Sequence, residues 1–255
     1  NMGLLDTAVY HAGYLQNMPS VRENIEFKIL MADAYKESGY LTRARERYRN
    51  IIERLSLKRD TEAEYFRIRS WLSIAELYKG SGLFYEAEQT LRTALSREED
   101  RIPLLEALFQ LALDKEDVTL GDNWLQAMIH EIDRINPDVT AQTDLAWKKY
   151  FLRARMLTAT GDYEQAVVLG RKAQSSLSKR NINDNGLNDF FYKGTPEYFV
   201  RRNMAVNLMY EGEYAEAEEI VGVLQDNFGL EPELYVLLER IYRAAGKYSE
   251  AEKVA

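Results

Sequence analysis

Five segments of the chain repeat one spacing of small, aromatic and glycine residues. A small residue is followed by an aromatic residue or leucine after three positions, by glycine after seven and by alanine after twelve. The five glycines are Gly39, Gly82, Gly161, Gly212 and Gly246. An internal repeat constrains the fold strongly, because every copy must adopt the same local structure and pack against its neighbours.

Each position of the repeat has a physical reason. Residues three apart lie on one face of an α-helix, and glycine ends that helix because it adopts the left-handed conformation without steric cost. The alanine belongs to a second helix, and its small side chain lets the first helix approach closely. The repeat therefore predicts an all-α fold of antiparallel helix pairs. Its register places Ala44, Ala87, Ala166 and Ala217 at buried helix–helix contacts and Trp71 in the core.

This pattern resembles the tetratricopeptide repeat, which combines tryptophan, leucine-glycine, tyrosine, alanine and phenylalanine at fixed spacing. The second copy matches best, with Trp71 at the tryptophan position and Ile74 at the leucine. Other copies depart from the pattern, since Glu239 replaces the small residue and Gly170 an aromatic one. The resemblance covers nearly the whole chain and identifies no subfamily. It implies a right-handed α-solenoid of antiparallel helix pairs.

The register predicts a single solenoid over residues 1–255, with about six full or partial units. The predicted boundaries are a half unit at 1–19, units at 20–59 and 60–98, a degenerate unit at 99–139, a unit at 140–180, an inserted loop at 181–196, a unit at 197–230 and a truncated unit at 231–255. The helices of the degenerate unit are expected near Ile102–Leu113 and Leu120–Ile135. Capping boxes are expected at Ser20 and Thr61, where glutamate follows three residues later.

Both ends of the chain are predicted to be cut from, or to adjoin, a longer array. Gly3, Leu5 and Ala8 have the spacing of a turn and second helix, so the chain opens halfway through a unit. A natural start with a lone helix is the alternative. Within the inserted loop, Phe190-Phe191-Tyr192 either anchors a partner or tucks the loop against the solenoid, and tucking is favoured.

Composition excludes several functional classes. The net charge of −8 and pI near 5.1 disfavour general nucleic-acid binding, because an acidic chain repels phosphates. The chain contains no cysteine, which excludes disulfides and thiolate-held zinc. It shows no opening signal peptide and no apolar run long enough to cross a bilayer. A soluble, intracellular protein is favoured, although the compartment remains open.

No motif in the sequence indicates catalysis, a metal or a cofactor. The two histidines are His11 and His130, and His130-Glu131 lacks the second histidine of a zinc-protease helix. Gly80-Ser81-Gly82 lacks the third glycine of a nucleotide-binding loop and coincides with a repeat turn. The 17 tyrosines fall mostly on repeat positions, which favours packing. The chain is therefore predicted not to be an enzyme.

The family resemblance implies that the concave face, lined by the first helix of each unit, binds partner segments. The candidate binding residues on that face are Lys148, Phe151, Arg155, Phe199, Arg202, Val206, Met209, Arg240 and Arg243. Their basic side chains beside apolar ones suggest an acidic amphipathic or extended segment, and a solvated face is the alternative. The carboxylate clamp of chaperone adaptors is rejected, because Asn203 fits one clamp position while Phe151, Glu233 and Leu237 miss the others.

Three functions remain open at this point. The leading hypothesis is a scaffold module that holds a partner segment in the groove, within a multiprotein complex. The second is a structural array that self-associates inside a larger assembly. The third is a non-catalytic regulatory arm of a larger enzyme.

Overall fold

A computed structural model describes Tyr14, Met18 and residues 23–135, 145–177, 195–229 and 231–255. Apart from Tyr14 and Met18, the half unit at the start lies outside these residues, as do Ser20 of the predicted capping box and the 181–194 segment. The described residues form twelve α-helices and no strand, which confirms the all-α prediction. The helices are α1 (Ile25–Glu37), α2 (Leu41–Leu55), α3 (Thr61–Gly80), α4 (Phe84–Leu95), α5 (Ile102–Asp114), α6 (Val118–Ile135), α7 (Ala146–Thr160), α8 (Tyr163–Leu177), α9 (Pro196–Glu211), α10 (Tyr214–Phe228), α11 (Pro232–Ala244) and α12 (Tyr248–Val254).

The chain forms two compact units, Asn1–Lys115 and Glu116–Ala255. In the first unit, each helix from α1 to α4 packs against the helix that follows it, and α3 also contacts α1 and α5. In the second unit, each helix from α6 to α11 packs against the helix that follows it, and α9 also contacts α7 and α11. Each unit is therefore built from consecutive helix pairs, as the repeat predicts. A single solenoid through both units stays a prediction.

The five repeat turns share one backbone geometry. Their glycines have φ between 74° and 87°. In every turn the N–H of the residue after glycine donates to the carbonyl five residues earlier, at 2.8–2.9 Å, as from Tyr40 to Tyr35 and from Lys247 to Tyr242. This is the hydrogen bond of a helix end capped by a left-handed residue. The sequence register is therefore confirmed at all five turns.

The degenerate unit also has a left-handed residue after its first helix, although that residue is not glycine. Its helices, α5 and α6, lie within two residues of the predicted bounds. Glu116 occupies the glycine position and adopts φ 56°. Counting back from Glu116, buried Phe109 and Ala112 stand where other copies have alanine and tyrosine. The large and small residues have exchanged places, which hides this copy from the sequence pattern.

The core confirms the alanine register. Ala44, Ala87, Ala166 and Ala217 are each 0% exposed. Trp71 differs from expectation, because it is only partly buried at the edge of the first unit's core. Its indole N–H donates to Glu98 Oε1 at 3.1 Å, which a fully apolar site does not provide.

A buried ion pair fastens α3 to its neighbours. Arg67 Nε lies 2.9 Å from Glu98 Oε2, with both side chains almost fully buried. Arg67 Nη1 also donates to the carbonyls of Leu55 and Lys58 at 3.0 and 2.8 Å. The pair therefore joins α3 to the end of α2 and to the segment that precedes α5.

The start of α3 differs from the predicted capping box. Asp60, not Thr61, is the N-cap, and its side chain accepts from the N–H of Ala63 at 2.8 Å. Glu64 does not accept from the backbone of Thr61, because its Oε1 accepts from the N–H groups of Glu99 and Asp100. Aspartate is as good an N-cap as threonine or better, so the cap lies at Asp60 and no capping box forms between Thr61 and Glu64.

Candidate protein-binding surface

The predicted binding residues lie on α7, α9 and α11, the first helices of successive pairs. These helices neighbour one another within the second unit, with α9 between the other two. The residues differ in depth. Lys148, Phe151 and Met209 are buried, Arg155, Phe199, Arg202 and Val206 are partly buried, and Arg240 and Arg243 are exposed. The structure therefore places the predicted residues on three neighbouring helices. Six of the nine are accessible to a partner.

The buried members belong to the core beneath the surface. Phe151 packs with Trp147, the two ring centroids being 6.1 Å apart, in a cluster that includes Val200 and Met204. Met209 belongs to the cluster that joins α9 to α10 and α11. Phe151 and Met209 pack beneath the surface and present almost no accessible area to a partner.

Two of the five predicted basic side chains are neutralised by carboxylates within the chain. Arg202 lies 3.3 Å from Glu233, and Arg243 Nε lies 2.7 Å from Glu239 Oε1. Arg240 is different, because its Nη2 donates to the neutral hydroxyl of Tyr210 at 2.9 Å. Among the residues that the structure describes, no carboxylate lies within ion-pair distance of Arg240.

Two exposed residues beside Arg240 were absent from the predicted binding set. Tyr210 is 49% exposed and Val236 is 56% exposed. Val236 lies one helical turn before Arg240, so both project from the same side of α11. Tyr210 stacks on Tyr163, with centroids 4.6 Å apart and rings 15° from parallel. We call Tyr210, Val236 and Arg240 the Tyr210 patch. The repeat register places all three on the concave face, but it does not report their exposure.

A polar ladder joins α7 to α9 beside the patch. Thr158 Oγ1 lies 2.9 Å from Asn207 Oδ1, and Asn207 Nδ2 donates to the Asn203 carbonyl at 2.9 Å. Asn207 is fully buried, so these bonds satisfy an amide that water does not reach. The side chain of Asn203 also takes part, because its Oδ1 accepts from Asn207 Nδ2 at 3.3 Å and its Nδ2 lies 3.5 Å from Thr158 Oγ1.

The first helices of the first unit carry a different surface. Several of their charged side chains pair across neighbouring helices. The pairs are Asp33–Arg69 at 2.6 Å, Lys36–Glu76 at 2.9 Å and Lys79–Asp114 at 3.0 Å. Because each charge already has a partner, this surface offers less to a ligand than the Tyr210 patch does.

The potential metal ligands do not cluster in the described parts of the chain. No group of three His, Asp or Glu side chains gathers there in a metal-binding arrangement. His130 is exposed on α6, and Gly80-Ser81-Gly82 forms the turn between α3 and α4. None of the described helices combines the length and apolar character needed to span a membrane.

Consecutive helix pairs with glycine-capped turns define a helical-repeat fold of the tetratricopeptide type. The family model of the tetratricopeptide repeat matches residues 68–101, which include the copy with Trp71. The resemblance drawn from the sequence is therefore confirmed. No curated protein matches the chain.

Solved structures share the fold at low sequence identity. A tetratricopeptide repeat protein from Parabacteroides merdae is 14% identical, with a TM-score of 0.63 over 99% of this chain and 84% of that one. The Cut9–Hcn1 hetero-tetramer of the APC/C is 11% identical, with a TM-score of 0.58 over 98% and 43%. A Rap protein complexed with Competence and Sporulation Factor is 18% identical, with a TM-score of 0.55 over 98% and 70%.

Proposed function

We propose that the chain is a non-catalytic scaffold that binds a segment of a partner protein across α7, α9 and α11. The observation that carries the proposal is the Tyr210 patch. An exposed aromatic ring, an exposed valine and a guanidinium without a carboxylate partner stand side by side on a repeat surface. Aromatic residues and arginine are the residue types that dominate protein interfaces.

The patch suggests a division of roles in binding. Tyr210 and Val236 supply apolar contact area, while the guanidinium of Arg240 takes a carboxylate of the partner. The partly buried Arg155, Phe199, Arg202 and Val206 and the exposed Arg243 form the rim. The partner is accordingly an extended or amphipathic segment with at least one acidic residue.

The similar folds support a binding role by analogy. One of them is a hetero-tetramer, Cut9–Hcn1, and another is a Rap protein complexed with Competence and Sporulation Factor. At 11% and 18% identity these likenesses concern the fold, so the role in this chain rests on its own surface.

Affinity capture followed by a matched charge reversal tests the proposal. Proteins that bind the folded chain are captured from its source organism, identified by mass spectrometry, purified and titrated against variants. We expect Arg240→Glu to weaken binding about tenfold at low salt, because an attraction becomes a repulsion. The loss shrinks as salt rises. Arg202 is not a suitable target, since its reversal also breaks the pair with Glu233.

Lys172→Glu is the matched control for this experiment. Lys172 is exposed on α8, a second helix, and its reversal changes the net charge by the same amount. Circular dichroism verifies that both variants fold. If every captured partner binds Arg240→Glu as tightly as it binds Lys172→Glu, the binding surface lies elsewhere.

A further inference from the structure

Helix α2 is unusually basic for this chain. It contains five arginines and two glutamates, although the chain as a whole has a net charge of −8. Four of the arginines alternate along its first half, at positions 43, 45, 47 and 49. As the second helix of its pair, α2 does not belong to the surface of the proposed function.

Each of these four arginines lies against a tyrosine. The guanidinium carbons of Arg43, Arg45 and Arg47 lie 5.5, 5.1 and 5.6 Å from the ring centroids of Tyr40, Tyr78 and Tyr35. Arg49 Nη2 donates to the hydroxyl of Tyr78 at 3.0 Å. We call the four arginines and three tyrosines the arginine–tyrosine face.

None of the four arginines of this face forms an ion pair with a carboxylate in the described part of the chain. Glu46 is three residues from both Arg43 and Arg49, yet it forms an ion pair with neither. Other arginines of second helices are paired, as in Arg54–Glu23 at 2.6 Å and Arg92–Glu88 at 2.8 Å. A guanidinium stacked on a ring keeps its edge N–H groups available, so this face can donate to an incoming anion.

Helical geometry sorts the arginines into two pairs. At 100° per residue, Arg43 and Arg47 lie on one flank of α2, and Arg45 and Arg49 lie on the other. On the second flank, Tyr78 accepts from Arg49 and keeps its own hydroxyl hydrogen to donate. Arg45, Arg49 and Tyr78 therefore combine two guanidiniums with a hydroxyl donor, an arrangement that suits the two oxygens of a carboxylate.

We propose that the arginine–tyrosine face is a second interaction surface, which binds an acidic segment of a partner protein. Protein is favoured over nucleic acid for two reasons. Glu46 and Glu53 lie between the two arginine flanks, so a continuous phosphate backbone would have to cross both carboxylates, whereas an acidic side chain needs to reach only one flank. Exposed Tyr40 and Leu41 beside the face offer apolar contacts that suit side chains rather than phosphates.

Selection of peptides from a random 12-residue phage-display library tests the proposal. The bait is the full chain carrying Arg240→Glu. This substitution impairs the surface of the proposed function, so the two proposals are tested independently of each other. We expect the recovered peptides to be rich in Asp and Glu. Their affinity, measured by fluorescence anisotropy, should fall about tenfold for Arg45→Gln/Arg49→Gln, because charge-assisted hydrogen bonds are lost.

Arg54→Gln/Arg92→Gln is the matched control. It removes the same charge from second helices of the first unit, but it takes arginines that are paired with carboxylates. This variant should change peptide affinity less than twofold. Thermal denaturation checks folding, and Arg49→Gln alone, at an exposed position, replaces the double variant if the latter unfolds.

Three results would overturn the proposal. The first is recovery of peptides without acidic enrichment. The second is equal affinity of acidic peptides for Arg45→Gln/Arg49→Gln and for the control variant. The third is tighter binding of a 12-base-pair DNA duplex than of the acidic peptides at equal ionic strength, which would assign the face to nucleic acid.

Discussion

At the scale of single residues, glycine at position 170 is explained by one contact. The repeat normally has a large side chain there, and in this copy Met204 of α9 fills the space instead. A Cβ added to Gly170 would lie 2.4 Å from Met204 Cγ. Gly170 is therefore required for the close packing of α8 against α9.

Gly170→Ala should lower the free energy of unfolding by about 1–3 kcal/mol, because it overpacks this contact. Gly222→Ala is the control. Gly222 lies inside α10 with no heavy atom within 4 Å of the added Cβ, so this change should stabilise the helix by about 0.5–1 kcal/mol. Urea denaturation measures both effects. Shifts of the same sign would contradict the assigned packing.

The buried pair of Arg67 and Glu98 gives a second prediction at this scale. Arg67→Met leaves a carboxylate buried beside Trp71 and removes two carbonyl contacts, so it should lower the free energy of unfolding by about 3–5 kcal/mol. Arg92→Met breaks a more exposed pair with Glu88 and should change it by less than about 1 kcal/mol. Comparable midpoints in chemical denaturation would show that the Arg67–Glu98 pair contributes little.

At the scale of helices, Glu218 connects α10 to the segment that follows. Glu218 accepts hydrogen bonds from Lys247 Nζ and from the hydroxyl of Tyr242, both at 2.9 Å. The hydrogen bond from Lys247 lowers the pKa of Glu218 most, against a smaller rise from burial. The same bond raises the pKa of Lys247. These two contacts tie α10 to α11 and to the N-terminal end of α12.

The pH dependence of this connection follows from the two pKa shifts. A lowered carboxyl pKa stabilises the fold above the ordinary glutamate pKa, and this stabilisation disappears as pH falls through the shifted value. A raised lysine pKa stabilises the fold below the ordinary lysine pKa, and this is lost as pH rises through the shifted value. NMR titration should give Glu218 a pKa below the usual range, which Lys247→Met raises. Tyr242→Phe should have a smaller effect. An unchanged pKa in Lys247→Met would contradict this cause.

The helices were largely predictable because the repeat spacing indicates where each helix ends and the next begins. The glycine, aromatic and alanine positions located five turns between helices. The α3 start was displaced because Asp60 competes with Thr61 for the same cap. The turn before α6 was harder to recognise, since Glu116 accepts a left-handed conformation that usually selects glycine.

The binding surface was less predictable, because a repeat position specifies the side of the helix on which a residue lies but not how deeply its side chain is buried. Phe151 was expected in the groove, yet Trp147 and neighbouring helices bury it. Arg202 and Arg243 were expected to attract acidic partners, yet Glu233 and Glu239 pair with them. These outcomes depend on contacts between elements, and the spacing within one copy does not contain them.

At the scale of the whole molecule, the division into two compact units implies that a destabilising substitution affects mainly the unit that contains it. In a repeat protein each helix pair is stabilised mainly by its sequence neighbours. Gly170→Ala should therefore increase amide hydrogen exchange in α7 to α10 more than in α1 to α4. Arg67→Met should give the reverse distribution. Exchange that rises uniformly through the chain in both variants would mean that the units unfold as one.

Tyr210 has a further consequence that follows from how its ring is held. The ring is half exposed, but Tyr163 stacks on one face and Arg240 binds its hydroxyl. A free surface side chain gives up rotamer freedom when a partner immobilises it, at a cost of about 0.5–1.5 kcal/mol. Because folding has already restricted Tyr210, a ligand that contacts this ring meets a smaller entropic penalty, and its contact area contributes more fully to affinity.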